Sequence, residues 1–143
     1  MARSKSLLQK TSHIDRLHSA WRVVYQSGLK SSSIETRNLV KAFYVDAPAY
    51  LRKIRYALSR NKYKFSPAKG VLKKKGKRNF RPLVVATVSD RIVQRALLDT
   101  IYDSDLIQKK LATPFSFGGI KDGGVRKAID KVCKEIDLSL IHI

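Results

Sequence analysis

Between Phe65 and Leu98 the sequence FSPAKGVLKKKGKRNFRPLVVATVSDRIVQRALL restricts the chain more than any other stretch. Phe65 to Leu72 is a short apolar–polar run, and Phe80 to Val88 is a second run rich in branched residues. Lys73 to Asn79 lies between them as a polar turn with a glycine near its tip. Two β-prone runs bracketing such a turn predict a β-hairpin. Ser89 is placed to cap a helix in which Ile92, Val93, Ala96, Leu97 and Ile101 recur at helical spacing. The hairpin carries Lys69, Lys73, Lys74, Lys75, Lys77, Arg78 and Arg81 and no acidic residue. Cations packed that densely repel one another, and a polyanion lying against them removes the repulsion.

Charge extends this beyond the hairpin. The 143 residues hold 30 basic and 11 acidic side chains, a formal net charge of +19. Such a surface gathers phosphates and binds them in a salt-dependent way. Nucleic acid is therefore the leading partner, ahead of an anionic membrane surface or a ribosomal-type structural role. With 43% hydrophobic residues the chain can build a modest core, and it is no disordered tail. Cys133 is the single cysteine, which excludes an internal disulfide and suits a reducing compartment. Met1 to Lys5 leads into no sustained apolar run, and nothing approaches the ~18 apolar residues of a membrane span. A cytoplasmic location is expected.

Residues 6–27 read as an amphipathic helix with Ile14, Leu17, Trp21, Val24 and Tyr25 on one stripe, its start capped or interrupted at Thr11 or Ser12. Trp21 is expected in the core; His13 and His18, five apart, do not share a helix face as metal ligands. Ser32 and Glu35 have capping-box spacing ahead of a helix that pairs Leu39 with Phe43 and Val40 with Tyr44. Asp46 and Pro48 open a third helix, with Leu51, Ile54 and Leu58 facing inward. Arg52, Lys53, Arg55, Arg60, Lys62 and Lys64 crowd its other faces and exit, either as a solvated face or as a nucleic-acid track. Tyr56 and Tyr63 read as base-stacking platforms or as half-buried core. Pro67 fits an edge strand or a bulge.

Asp103 and Asp105 read as a carboxylate pair for a cation or, preferably, as flanking the start of a short helix DLIQKKL that Asp105 or Ser104 caps. Gly118, Gly119, Gly123 and Gly124 lie in a loop before a last helix, roughly Gly124 to Asp137, expected to bury Val125, Ile129, Val132 and Ile136. A glycine-rich loop before a helix can cradle phosphates, but by itself it specifies little.

The ordered set from Phe65 to Leu98 resembles the fingers region of bacterial reverse transcriptases of the group II intron, retron and phage-defence kind. Those proteins carry a Lys-rich turn, an Arg-Pro-Leu, an extended run and an Asp-Arg-Ile-Val-Gln-Arg-Ala-Leu. Here these are Lys73 to Lys77, Arg81-Pro82-Leu83, Val84 to Thr87, and Asp90 to Leu97. Lys62 to Pro67 is similar to the way that hairpin is entered. Ser116 to Gly119 with Ala128 and Ile129 echoes a later loop of the family, although Ile120 to Gly124 replaces its Arg-Pro-Gly-Arg-Ser. Val84-Val85-Ala86 stands where group II intron proteins continue with Gly-Ile-Pro, so retron-like and defence types stay open.

The resemblance implies an α+β chain, mostly helical with an antiparallel β-hairpin: the fingers and start of the palm of a right-hand polymerase, truncated before the palm catalytic sheet. It divides the chain into a helical region 1–60 and an incomplete fingers and palm region 61–137. The last six residues, 138–143, translate from CTG TCT CTT ATA CAC ATC, an end sequence used in building sequencing libraries, and are expected to be adapter; the plainer reading is a terminal strand. The implied activity is RNA-directed DNA polymerisation, with RNA template, DNA primer and deoxynucleoside triphosphate as partners. The Mg²⁺ of the full-length enzyme, held by palm aspartates, is not expected on this portion, which would be inactive alone. Arg81, with Lys74 or Lys75 across the hairpin, is expected at the triphosphate. Lys73, Lys77, Arg78, Arg91, Gln94 and Arg95 are expected at nucleic acid. The alternative is a stand-alone basic RNA-binding module without chemistry.

Overall fold

A computed structural model describes residues 6–76, 79–111, 113, 116–118 and 123–140, the side chains of 75 and 138–140 excepted. Among them the protein is mostly helical with one two-stranded antiparallel sheet. The order is α1 (Leu7–Thr11), α2 (Ile14–Leu29), α3 (Ile34–Val45), α4 (Ala47–Ser59), β1 (Lys69–Lys75), β2 (Asn79–Val85), α5 (Val88–Tyr102), α6 (Asp105–Leu111) and α7 (Val125–Leu140). The chain divides into two compact units, Met1–Thr100 and Ile101–Ile143.

The first unit owns the core. Leu17, Ala20, Trp21 and Val24 of α2 meet Val40 and Phe43 of α3, Leu51, Ile54 and Leu58 of α4, and Ile92, Val93 and Ala96 of α5. Trp21 is the anchor that the stripe predicts, its ring 4.6 Å from Phe43 and 5.2 Å from Tyr25. Gly28 lets α2 approach α3, because a Cβ there would stand 2.6 Å from Cγ1 of the buried Val40. Thr100 on α5 donates to the Ala96 carbonyl and accepts from Thr11, which satisfies two buried hydroxyls.

Helix starts differ from the expectation in informative ways. The helix expected over 6–27 breaks at Ser12, so that α1 is a short preface capped by Ser6 and Gln9 in a reciprocal box. Ser33, not Ser32, caps α3 by accepting from the Thr36 amide. Thr87, not Ser89, starts α5: its hydroxyl accepts from the Asp90 amide at 3.2 Å and its carbonyl from Arg91 at 2.9 Å. In the last two cases a neighbouring hydroxyl one or two positions away reaches the orphan amides of the first turn. Asp46 and Pro48 do open α4, although the Asp46 side chain makes no capping bond. On α3 only Val40 and Phe43 enter the core, and Leu39 and Tyr44 stay exposed.

The hairpin is present, but β1 begins later and β2 ends sooner than expected, so the pairing lies nearer the tip. Pro67 falls in the approach outside the strand, since β1 starts at Lys69. The lysine run is strand as far as Lys75, and Gly76 supplies the left-handed φ of +72° at which the chain turns. Lys77 and Arg78 lie outside the described residues.

In the second unit, α6 matches its prediction. On α7 the stripe Val125, Ile129, Val132 and Ile136 is exposed, from 53% to 78%, in place of the burial expected of it. The periodicity correctly gives an amphipathic helix, but a stripe is buried only where something packs on it. Cys133 is exposed on the same helix. The backbone of α7 runs on to Leu140 in place of a terminal strand, because no proline or glycine interrupts propagation of the helix. Residues 141–143, the rest of the adapter reading, lie outside the described residues.

Candidate nucleic-acid interface

The register of the hairpin decides which cations meet. Lys69 pairs with Val85, Val71 with Leu83, Lys73 with Arg81, Lys74 with Phe80 and Lys75 with Asn79. Paired residues share a face, so Arg81 stands beside Lys73 and not beside Lys74. Lys74 lies on the other face with Phe80. Of the two expected partners of Arg81, Lys74 is set aside by register, while Lys75, paired with Asn79, keeps a diagonal place on the face of Arg81 and Lys73 faces Arg81 directly. Like charges placed directly opposite, ~4.5–5.5 Å apart at Cβ, destabilise a sheet.

The two faces differ in surroundings. Val71 and Leu83 are half-buried on the face that carries Lys69, Lys73 and Arg81. Between that face and the start of α3 lies a groove of about 520 Å³ whose lining includes Leu39, Pro67, Lys69, Val71, Lys73 and Leu83. Lys69 reaches across to Glu35 at 2.9 Å, with both side chains largely exposed. On the other face Leu72, Phe80 and Val84 are exposed at 72%, 62% and 77% beside Lys74. A cation interleaved with an exposed aromatic ring is a surface on which an unstacked base can lie while its phosphate is held.

The approach to the hairpin extends the charge. Arg52, Lys53, Arg55 and Arg60 are exposed, and α4 itself contains no acidic residue. Tyr56 is exposed, with the Arg60 guanidinium 4.1 Å above its ring in a cation–π pair. Tyr63 has the opposite fate. It is half-buried, packs edge-on against Phe65, and donates its hydroxyl to Asp90 at 2.7 Å. Burial first, then that hydrogen bond and the charge of Asp90, push its hydroxyl well above the ordinary phenol range.

Asp90 holds the root of the hairpin. It is 1% exposed and accepts from Tyr63 at 2.7 Å, from the Ser66 amide at 3.1 Å and from the Thr87 hydroxyl at 2.7 Å. Its place in the first turn of α5 also sets the carboxylate at the positive end of the helix dipole. Hydrogen bonds to a charged group contribute about 1.5–3 kcal/mol each, enough to offset burial of the charge. The composition of the hairpin points elsewhere and misses Asp90. The signal that finds it is Thr87-x-x-Asp90, the spacing of a capping box.

On α5 the expected contacts separate. Gln94 is exposed, Arg91 is half-buried, and Arg95 is already gripped by Asp99, at 3.0 and 3.2 Å. Gln94 thus presents its polar end to solvent, while Arg95 has an anion of its own. Asp105 opens α6, with the Ser104 carbonyl accepting the first helical bond from Gln108, so the cap reading of that segment fits. Before α7, Gly124 at φ +123° donates to the Phe117 carbonyl at 2.7 Å. Residues 119–122 of that loop, which include most of the segment replacing Arg-Pro-Gly-Arg-Ser, lie outside the described residues.

Among the described residues no three acidic, histidine or cysteine side chains converge as ligands for a metal ion. The donor set of a Mg²⁺ site is not found there. No helix among these residues is long and apolar enough to cross a membrane. No protein-family model matches the chain, and no curated protein does.

Proposed function

We propose that the chain is the fingers portion of an RNA-directed DNA polymerase, and that its hairpin and α4 bind the phosphates of nucleic acid. The observation that carries this reading is the pairing of Lys73 with Arg81 on one face of a hairpin whose described residues include no acid. That pairing costs the isolated sheet stability, and phosphate reverses its sign. Arg81 grips phosphate bidentately, its backbone fixed by Pro82 and the strand, and Lys73 adds a point charge beside it. Lys74, with Phe80, contacts a single strand on the opposite face. Arg52, Arg55 and Arg60 continue the track along α4, with Tyr56 as a stacking surface.

The ordered likeness of Phe65 to Leu98 to polymerase fingers supports the enzyme class, and the strand–turn–strand–helix order fits it. The catalytic carboxylates belong to a palm, so no catalytic residue is assigned to these residues. A stand-alone RNA-binding module accounts for the same charge and leaves the ordered likeness without a cause.

Two measurements test the two parts. Fluorescence anisotropy of a labelled single-stranded RNA should report binding that weakens steeply as KCl rises, with slope about −0.7 per phosphate neutralised. Binding indifferent to salt, or none at low salt, contradicts the interface. Reading the source locus past the codon for Asp137 tests the enzyme class. An in-frame Phe-x-x-x-Asp followed by an aromatic-x-Asp-Asp is expected, and a frame with neither contradicts it.

A further inference from the structure

We infer that Asp90 is the positioning residue of the hairpin: its buried carboxylate ties the chain entering β1 to the chain leaving β2 and aims the cationic face. The inference rests on the nucleic-acid reading for its functional half only, since the tie itself is structural and separately measurable.

The ends of the hairpin converge on one side chain. Tyr63 and Ser66 precede β1 and donate to Asp90, and Thr87 follows β2 and donates to it as well. Asp90 sits on α5 next to Ile92 and Val93, and Tyr63 and Val88 pack against the same core, so the tie is anchored to the hydrophobic core of the unit. A further link between hairpin and helices, Lys69 to Glu35, is an exposed ion pair. Such a pair contributes little, is screened by salt, and is open to competition from any phosphate that takes Lys69. Under those conditions the direction of the hairpin depends on the buried carboxylate. A nucleic-acid strand whose phosphates meet both the Lys73–Arg81 pair and the cations of α4 is held at both places only if the hairpin keeps a fixed direction relative to α4. Otherwise each binding event must first order the hairpin.

The Ser66 amide makes the tie observable. It lies ahead of β1 and its acceptor is Asp90, so its hydrogen exchange reports the clamp without reporting the strand ladder. Asp90→Asn keeps the size of the side chain and the amide's own bond to Thr87, and replaces a carboxylate oxygen with a donor. In this variant the Ser66 amide should exchange about tenfold faster or more, while amides within α2 and within the strand pair keep their protection. Affinity for single-stranded RNA should fall about three- to tenfold with the salt slope nearly kept, because the cations remain and only their alignment is disturbed. Thr87→Val should shift both readouts the same way, and Thr87→Ser, which keeps the hydroxyl, should restore both. If Asp90→Asn unfolds the unit, the Thr87 pair alone decides.

Unchanged Ser66 exchange overturns the clamp. Faster Ser66 exchange with unchanged RNA affinity overturns the positioning role. Failure of the unsubstituted protein to bind RNA overturns the positioning role by removing what is positioned, together with the nucleic-acid reading, and the exchange readout still decides the clamp.

Discussion

Tyr63 and Asp90 share one short hydrogen bond, and it makes the stability of the first unit depend on pH at the alkaline end. The phenol of an unfolded chain loses its proton near pH ~10. In the folded protein burial and Asp90 hold that proton to higher pH. The folded state therefore binds more protons than the unfolded state above pH ~10, and stability falls as pH rises there. Below that value the contribution is complete. Urea midpoints measured from pH ~8 to ~11 should decline more steeply in the unsubstituted protein than in Tyr63→Phe. Equal declines in the two would mean that the hydroxyl is not held as described. Arg95 belongs to the same scale. Its pairing with Asp99 predicts that Arg95→Ala weakens RNA binding less than Arg81→Ala, measured side by side at one salt concentration.

At the scale of elements, packing is the deciding quantity. Trp21 lies between Tyr25 and Phe43 in the centre of the α2–α3 contact, so Trp21→Ala should cost about 3–5 kcal/mol in urea unfolding. Gly28→Ala should cost about 1–3 kcal/mol, because Val40 is fully buried and cannot withdraw from a new methyl group. A neutral Gly28→Ala would show that α2 and α3 are further apart than the structure has them. These elements are legible in the sequence: the Leu17–Trp21–Val24 stripe, the Asp46–Pro48 start and the hairpin with its following helix all stand in local periodicity and turn chemistry. Several details are not. The choice of Thr87 over Ser89, and of Ser33 over Ser32, turns on which hydroxyl reaches an amide. The pairing of Lys73 with Arg81 turns on a register that a one-residue slip would reverse. Lys69 with Glu35, and Tyr63 with Asp90, join residues far apart in sequence, and no local pattern announces them. The exposed stripe on α7 marks the same limit, because periodicity reports an apolar face and not whether anything covers it.

For the molecule as a whole, a net charge of +19 is a general attraction for polyanions, and it would exist wherever the cations lay. The structure adds a specific arrangement, with a like-charge pair built into the sheet at Lys73 and Arg81. If that pair serves phosphate, removing it should separate binding from stability. The most direct measurement is therefore the salt dependence of single-stranded RNA affinity, together with the thermal midpoint, for the double variant Lys73→Ala, Arg81→Ala. On this account the salt slope should be shallower by about 0.7, for the one phosphate that the pair no longer neutralises, with the midpoint unchanged or raised. An unchanged slope, or a lowered midpoint with affinity intact, would contradict it: the pair would then be part of how the hairpin folds and not of what it binds.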